Sequence, residues 1–164
     1  MGILMIKLEK NYLEVSGSEL IEKLIRLGAG IEEGGKAKIP LLEAAYYAEK
    51  GIIKFDKEKI MKRASEDDEL ANDKYIIIKF LRDRGYITRI SLDTDDYFRV
   101  HQKGIRVGED RTQYVLKVVK KDWQTNIKEI KNAIGIAGRL RKELVIAYVE
   151  DEPHFIKISR TSFE

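Results

Sequence analysis

Apolar residues follow two different spacings along this chain. Ile3 to Val15 alternates apolar and polar positions around Lys10-Asn11, which predicts two short strands. Ser16 and Glu19 stand three apart, the spacing of a capping box, in which each side chain satisfies the other's free amide. Leu20, Ile21, Leu24 and Leu27 follow at helical spacing, and Gly28 stops that helix. The run from Gly28 to Gly35 is glycine-rich. A phosphate cradle would lead directly into a helix, whereas Lys36-Ala37-Lys38-Ile39-Pro40 comes next, so the run reads as a flexible turn. A second helix is predicted from Leu41 to Lys50, closed by Gly51. Ile52 to Phe55 reads as a short strand and residues 57–64 as another short helix.

Glu66 to Asp73 is acidic and has no apolar periodicity, which places a domain boundary beside it. Beyond it, Tyr75, Ile78, Phe80 and Leu81 lie on a helix that ends at Arg82-Asp83-Arg84-Gly85. Three strands are predicted next, over Tyr86 to Leu92, Tyr97 to His101 and Gln113 to Val119. Thr125 or Asn126 can cap a helix whose stripe is Ile127, Ile130, Ile134, Ala137 and Leu140. Trp123 reads as an anchor for that helix. Leu144 to Val149 is a nearly continuous apolar run, the pattern of a strand buried on both faces. An acidic turn at Glu150 to Pro153 leads to a last strand, Phe155 to Arg160, with His154 as a surface residue beside it. The expected fold is α+β: a small N-terminal α/β unit over residues 1–68, then residues 69–164 as a mixed β-sheet flanked by helices.

Composition narrows this picture. The 164 residues are 43% apolar, enough for a true core, and 36% charged, well above the roughly 25% of average soluble domains. Heavy use of Lys, Glu and Ile with no Cys points to a thermophile and is compatible with a reducing cytoplasm. The net charge is only +3, a weak nucleic-acid signal by itself. The charges are grouped, however, with basic residues at Lys117 to Lys121 and Arg139 to Lys142 and acidic ones at Glu66 to Glu69, Asp93 to Asp96 and Glu150 to Glu152. Any single run reads as a solvated face. No stretch is long and apolar enough to span a membrane, and Met1 to Leu8 does not have the form of a signal peptide.

Several stretches, in order, resemble the archaeal tRNA-splicing endonuclease family. Leu41-Leu42-Glu43-Ala44-Ala45-Tyr46-Tyr47 with Gly51 is similar to its N-terminal helix. Leu81-Arg82-Asp83-Arg84-Gly85-Tyr86 is similar to its central helix end, and Val145-Ile146-Ala147 before an acidic turn is similar to its buried strand. Tyr97-Phe98-Arg99-Val100-His101, Arg111-Thr112-Gln113-Tyr114-Val115 and Leu140-Arg141-Lys142-Glu143-Leu144 resemble the stretches that carry a catalytic Tyr, His and Lys. The resemblance implies a metal-independent ribonuclease fold, with no cofactor, that cuts precursor tRNA at a bulge-helix-bulge. Such cleavage needs a base for the 2′-hydroxyl, an acid for the leaving oxygen and a cation for the phosphate.

Carried over by position, the family's Tyr falls on His101, its His on Arg111 (or Thr112 after a one-residue slip) and its Lys on Lys142. Neither Arg nor Thr can act as a general acid near neutrality. An Arg that clamps a flipped base seven residues before the family's Lys falls on Gly135. The resemblance therefore implies a non-catalytic, structural subunit that scaffolds a catalytic paralogue in an α2β2 heterotetramer. Its implied interface is the acidic turn Glu150, Asp151 and Glu152 with the terminal strand residues Phe155, Ile156, Ile158 and Phe163. Lys103, Arg106, Arg139 and Arg141 remain as candidate phosphate contacts. Lys142 also reads simply as a solvated cation at a helix end. Two other readings stay open, an active ribonuclease with a rearranged site using His101 and Lys142, and a homodimeric RNA-binding protein.

Overall fold

A computed structural model describes residues 4–90, 97–101, 112–140 and 142–163, with only the backbone of 112 and 113. The alternation at the N-terminus produces β1 (Met5–Leu8) and β2 (Tyr12–Ser16), paired antiparallel. Helix α1 (Ser18–Arg26) follows, then β3 (Ile31–Glu33), β4 (Lys36–Pro40) and α2 (Leu41–Glu49). Together the four strands form an antiparallel sheet in the order β1-β2-β4-β3. Its inward positions, Leu13, Val15, Ala37 and Ile39, are fully buried. After α3 (Lys57–Asp67) comes α4 (Ala71–Asp83). The second sheet runs β5-β6-β7-β8-β9, built from β5 (Ile87–Arg89), β6 (Phe98–His101), β7 (Thr112–Val118), β8 (Glu143–Glu150) and β9 (Glu152–Ile158). Helix α5 (Ile127–Arg139) is the crossover between β7 and β8, the parallel pair in an otherwise antiparallel sheet. The α+β architecture expected from the sequence is therefore the one observed.

Several local expectations are corrected. Ser16 does not cap α1. It ends β2, where its hydroxyl accepts from the Met5 amide at 3.1 Å and donates to the Met5 carbonyl at 3.2 Å, while Gly17 stands at the N-cap with no side-chain bond. Strand pairing has claimed the hydroxyl first. The glycine run is not one flexible turn, because it contains β3 and a hairpin closed at Gly34 and Gly35. Their φ values of 61° and 77° are the left-handed pair that a two-residue hairpin turn demands. Ile52 to Phe55 is not a strand. The amides of Ile52 and Ile53 both donate to the Tyr47 carbonyl, wrapping the chain around the end of α2. Helix α3 extends into the acidic run because Arg63 pairs with both Glu66 and Asp67. The stripe of α5 is borne out at Ala137 and Ile134, but Ala133 is buried with them, while Ile127 is 71% exposed and Leu140 is also exposed. β5 ends at Arg89, and β9 begins at Glu152 and ends at Ile158.

Helix α4 lies between the two halves. Ile77 and Ile78 are fully buried, in a cluster that runs from Leu13 of the first sheet to Ala147 of the second. Each such side chain contributes about 1.5–3 kcal/mol by burial. A smaller cluster on the other face of the second sheet joins Val115, Leu144 and Ile146 to Ala133 and Ala137 of α5, with Trp123 packed against it. Trp123 thus anchors α5 as expected.

Arg82, near the end of α4, fixes how the halves meet. Its guanidinium donates to Thr88 Oγ1 (3.0 Å), the Thr88 carbonyl (2.8 Å), the Leu27 and Gly28 carbonyls (both 3.2 Å), Tyr47 Oη (2.7 Å) and Glu43 Oε1 (3.1 Å). Both partners of the Glu43–Arg82 pair are almost wholly buried. Burial pushes the Glu43 carboxyl above its ordinary range, with the Arg82 charge pulling against it. One side chain therefore joins α2, the turn after α1 and β5.

Candidate functional site

The residues singled out by sequence are brought to one end of the second sheet by strand direction. β6 runs antiparallel to β7, and His101, its last residue, pairs with Thr112 at the start of β7. β7 runs parallel to β8, so Tyr114 pairs with Glu143, and Lys142 directly precedes that strand. The end of β6 and the beginnings of β7 and β8 therefore share one sheet edge. A bulge between Val100 and His101 re-aims the end of β6 there. His101 is buried at 9% exposure, and Lys142 is half-buried. The Lys142 amide donates to the Ala137 carbonyl at 2.9 Å, which turns the chain from α5 into β8. Arg139 is exposed, its Nε donating to the Gly135 carbonyl at 3.4 Å. Cations at this helix end are favoured by the exposed carbonyls. Arg111, Lys103, Arg106 and Arg141 lie outside the described residues.

Helix α5 starts with Asn126, whose side chain accepts from the Glu129 amide at 2.9 Å. This settles the choice between Thr125 and Asn126 in favour of Asn126. Gly135 is exposed near the other end, and a Cβ built on it meets no atom within 4 Å. Packing does not force a glycine at this position.

The acidic turn and terminal strand lie at the opposite edge of the sheet. Glu150 pairs with Glu152 across Asp151, which has a φ of 63°. β9 is the outermost strand, paired only with β8. Phe155 is 38% exposed and Ile156 50% exposed, on opposite faces, and Phe163 is fully exposed. Phe155 leans on Phe80 of α4, while Ile158 packs into the α5-side cluster. His154 stacks on Tyr148 at 5.1 Å, a surface strand residue as expected.

Sequence reasoning passed over a pair of arginines. Arg89 and Arg99 are direct cross-strand partners in β5 and β6, and they line a 440 Å³ cleft with Tyr97 and Glu43. Arg99 stood within a stretch already singled out, but its partner is known only once the two strands are paired. Among the described residues no three His, Cys, Asp or Glu side chains gather as metal ligands, and no helix is long and apolar enough to cross a membrane.

Comparison with protein families matches residues 71–157 to the tRNA intron endonuclease, catalytic C-terminal domain. The chain is 33% identical over 125 residues to the tRNA-splicing endonuclease of Thermococcus kodakarensis, covering 72% of this chain and 73% of that protein. It is 30% identical over 151 residues to the tRNA-splicing endonuclease of Pyrococcus furiosus, covering 85% of each. With that of Nanoarchaeum equitans it shares 31% identity over 135 residues, 74% of this chain and 88% of the relative. On the strength of these matches and the fold, the chain belongs to the tRNA intron endonuclease family.

Proposed function

We propose that this chain is the structural, non-catalytic subunit of a tRNA-splicing endonuclease. It scaffolds a catalytic paralogue in an α2β2 heterotetramer that removes introns from precursor tRNA in the cytoplasm of a thermophile. One observation carries the reading. The sheet register gathers the ends of β6, β7 and β8, where family enzymes are expected to hold Tyr, His and Lys, and the sequence there supplies His101, Arg111 and Lys142. An arginine holds its proton at any pH near neutrality, so the step that protonates the leaving oxygen has no donor. Loss of one member of such a set costs several orders of magnitude in rate.

Two further features support a change of role. Gly135 offers no side chain for a base clamp although the fold leaves room for one. The assembly features persist: an open strand edge at β9, exposed Phe155 and Ile156, and an exposed acidic turn suited to a basic cleft on a partner. The buried position of His101 weighs against the rearranged-site reading, because a base must reach the 2′-hydroxyl.

The test is reconstitution with a family chain that carries an intact Tyr, His and Lys. The mixture should excise an intron from a bulge-helix-bulge precursor, and this chain alone should not. Excision by the isolated chain, abolished by His101→Ala, would establish the rearranged site instead. Failure to associate with any such chain, together with a stable homodimer that binds RNA, would leave the homodimeric RNA-binding reading.

A further inference from the structure

The face of the second sheet that carries α5 is only partly covered by it. α5 packs over β7 and β8, and the part over β5 and β6 is open. There the floor of the 440 Å³ cleft is formed by Arg89, Ile90, Tyr97 and Arg99. One wall comes from the N-terminal half, at Gly30, Ile31 and Glu43, and the other from α5, at Ile136 and Leu140.

The charges in this cleft are not balanced. Arg89 and Arg99 face each other across the β5–β6 ladder, and like charges directly opposite one another destabilise a sheet. Among the described residues neither has an ion pair. Arg89 donates to the Gly28 carbonyl at 3.3 Å, and Arg99 is exposed. The one carboxylate lining the cleft, Glu43, is bonded by Arg82 and also feels the Arg89 charge, so it is shared between two guanidinium groups and none among the described residues is paired with Arg99. A bridging anion would turn this repulsion into two charge-assisted bonds, and a phosphate suits two guanidinium forks. The rest of the cleft is apolar and aromatic, at Ile90, Tyr97, Val115, Ile136 and Leu140. That surface suits the flat face of a nucleobase. Ile87 pairs with His101 two residues along the same ladder from the Arg89–Arg99 pair. The cleft therefore adjoins the sheet end at which Lys142 enters β8.

We propose that this cleft binds a nucleotide of RNA, with its phosphate between Arg89 and Arg99 and its base against the apolar wall. It rests on the family's link to RNA but not on whether this chain is catalytic. A structural subunit would then grip the precursor directly, away from the bond that its partner cuts.

The test uses the full chain with a labelled single-stranded RNA and a bulge-helix-bulge RNA, read by fluorescence anisotropy across a salt series. Arg99→Ala should lower affinity roughly tenfold for both RNAs and reduce the salt slope by about one. In the free protein Arg99→Ala should leave Tm unchanged or raise it, since a like-charge pair is relieved. Uridine monophosphate should raise the Tm of the wild type and not that of the variant. Equal RNA affinity and salt slope for wild type and Arg99→Glu would overturn the proposal. So would a Tm response to the free nucleotide with unchanged RNA affinity, which marks a small-molecule site. Loss of assembly with the catalytic partner at unchanged RNA affinity would make the cleft a protein-docking site and overturn it too. Intron excision on reconstitution is scored separately, so the subunit reading stands or falls independently of these results.

Discussion

Replacing Arg82 by Met tests whether the two halves are held by one buried cation. The guanidinium makes six hydrogen bonds to five residues, and its side chain is 4% exposed. Methionine fills much of the same space but donates nothing. It would leave Glu43 buried without its partner and the Leu27, Gly28 and Thr88 carbonyls short of a donor. Removing one member of a buried ion pair costs about 3–5 kcal/mol. The single bonds cannot be summed, because they share one group. The expected loss is about 4 kcal/mol, against a total stability on the order of 5–15 kcal/mol for a domain. Urea unfolding can be followed by fluorescence of Trp123, the one tryptophan, half-buried beside the second-sheet cluster. With a slope of about 2 kcal/mol/M the midpoint should fall by roughly 2 M. Glu43→Gln keeps an acceptor for Arg82 and should cost less, about 1–2 kcal/mol. The double variant Arg82→Met with Glu43→Leu should lose clearly less than the sum of Arg82→Met and Glu43→Leu. A loss below about 1 kcal/mol for Arg82→Met, or strict additivity, would refute the reasoning.

Other predictions follow from the same packing. Lys79, Tyr75 and Lys57 all bond to Glu49 and hold its carboxyl at about 2 instead of the ordinary 4.5, so the folded state favours its ionised form. Stability from this group is complete above about pH 4.5 and is lost as pH falls toward about 2; Glu49→Gln should flatten acid unfolding curves over that window. At Gly30, with φ of 75°, an added Cβ would stand 2.3 Å from Ile39 Cδ1 and 2.6 Å from the Lys38 carbonyl. Gly30→Ala should therefore lower stability by about 2–4 kcal/mol, measured by denaturant midpoint, whereas Gly34→Ala, strained but unobstructed, should cost about 1 kcal/mol. Glu150→Lys with Glu152→Lys should split the proposed assembly with a catalytic partner into smaller species at unchanged Tm. Asp151 is kept because its φ of 63° suits Asp. An unchanged mass by light scattering would count against docking by this turn.

The elements that could be read in advance were those whose signal is local. The apolar run of α2, the stripe of α4, a cap at Thr125 or Asn126 and the apolar run of β8 are written in residues close together in the chain. What failed were local signals with a tertiary competitor. Ser16 had the spacing of a cap, but β1 offered its hydroxyl better partners. Ile52 to Phe55 had strand composition but no strand beside it, and the Tyr47 carbonyl took its amides instead. On α5 the apolar stripe counted Ile127 and Leu140, which are exposed, and passed over Ala133, whose small side chain packs beside the expected Ala137 against the second sheet.

The candidate site divides in the same way. The identities of His101, Arg111 and Lys142 are properties of the sequence, and an arginine's affinity for its proton hardly depends on where it sits. That the ends of β6, β7 and β8 lie together is decided by strand direction and register. The Arg89–Arg99 pair, the Glu43–Arg82 link and the cleft between the two halves belong to the tertiary structure alone. Each joins residues well apart in the chain, and Coulomb repulsion, desolvation and cavity shape take effect only once folding has set the distance between them.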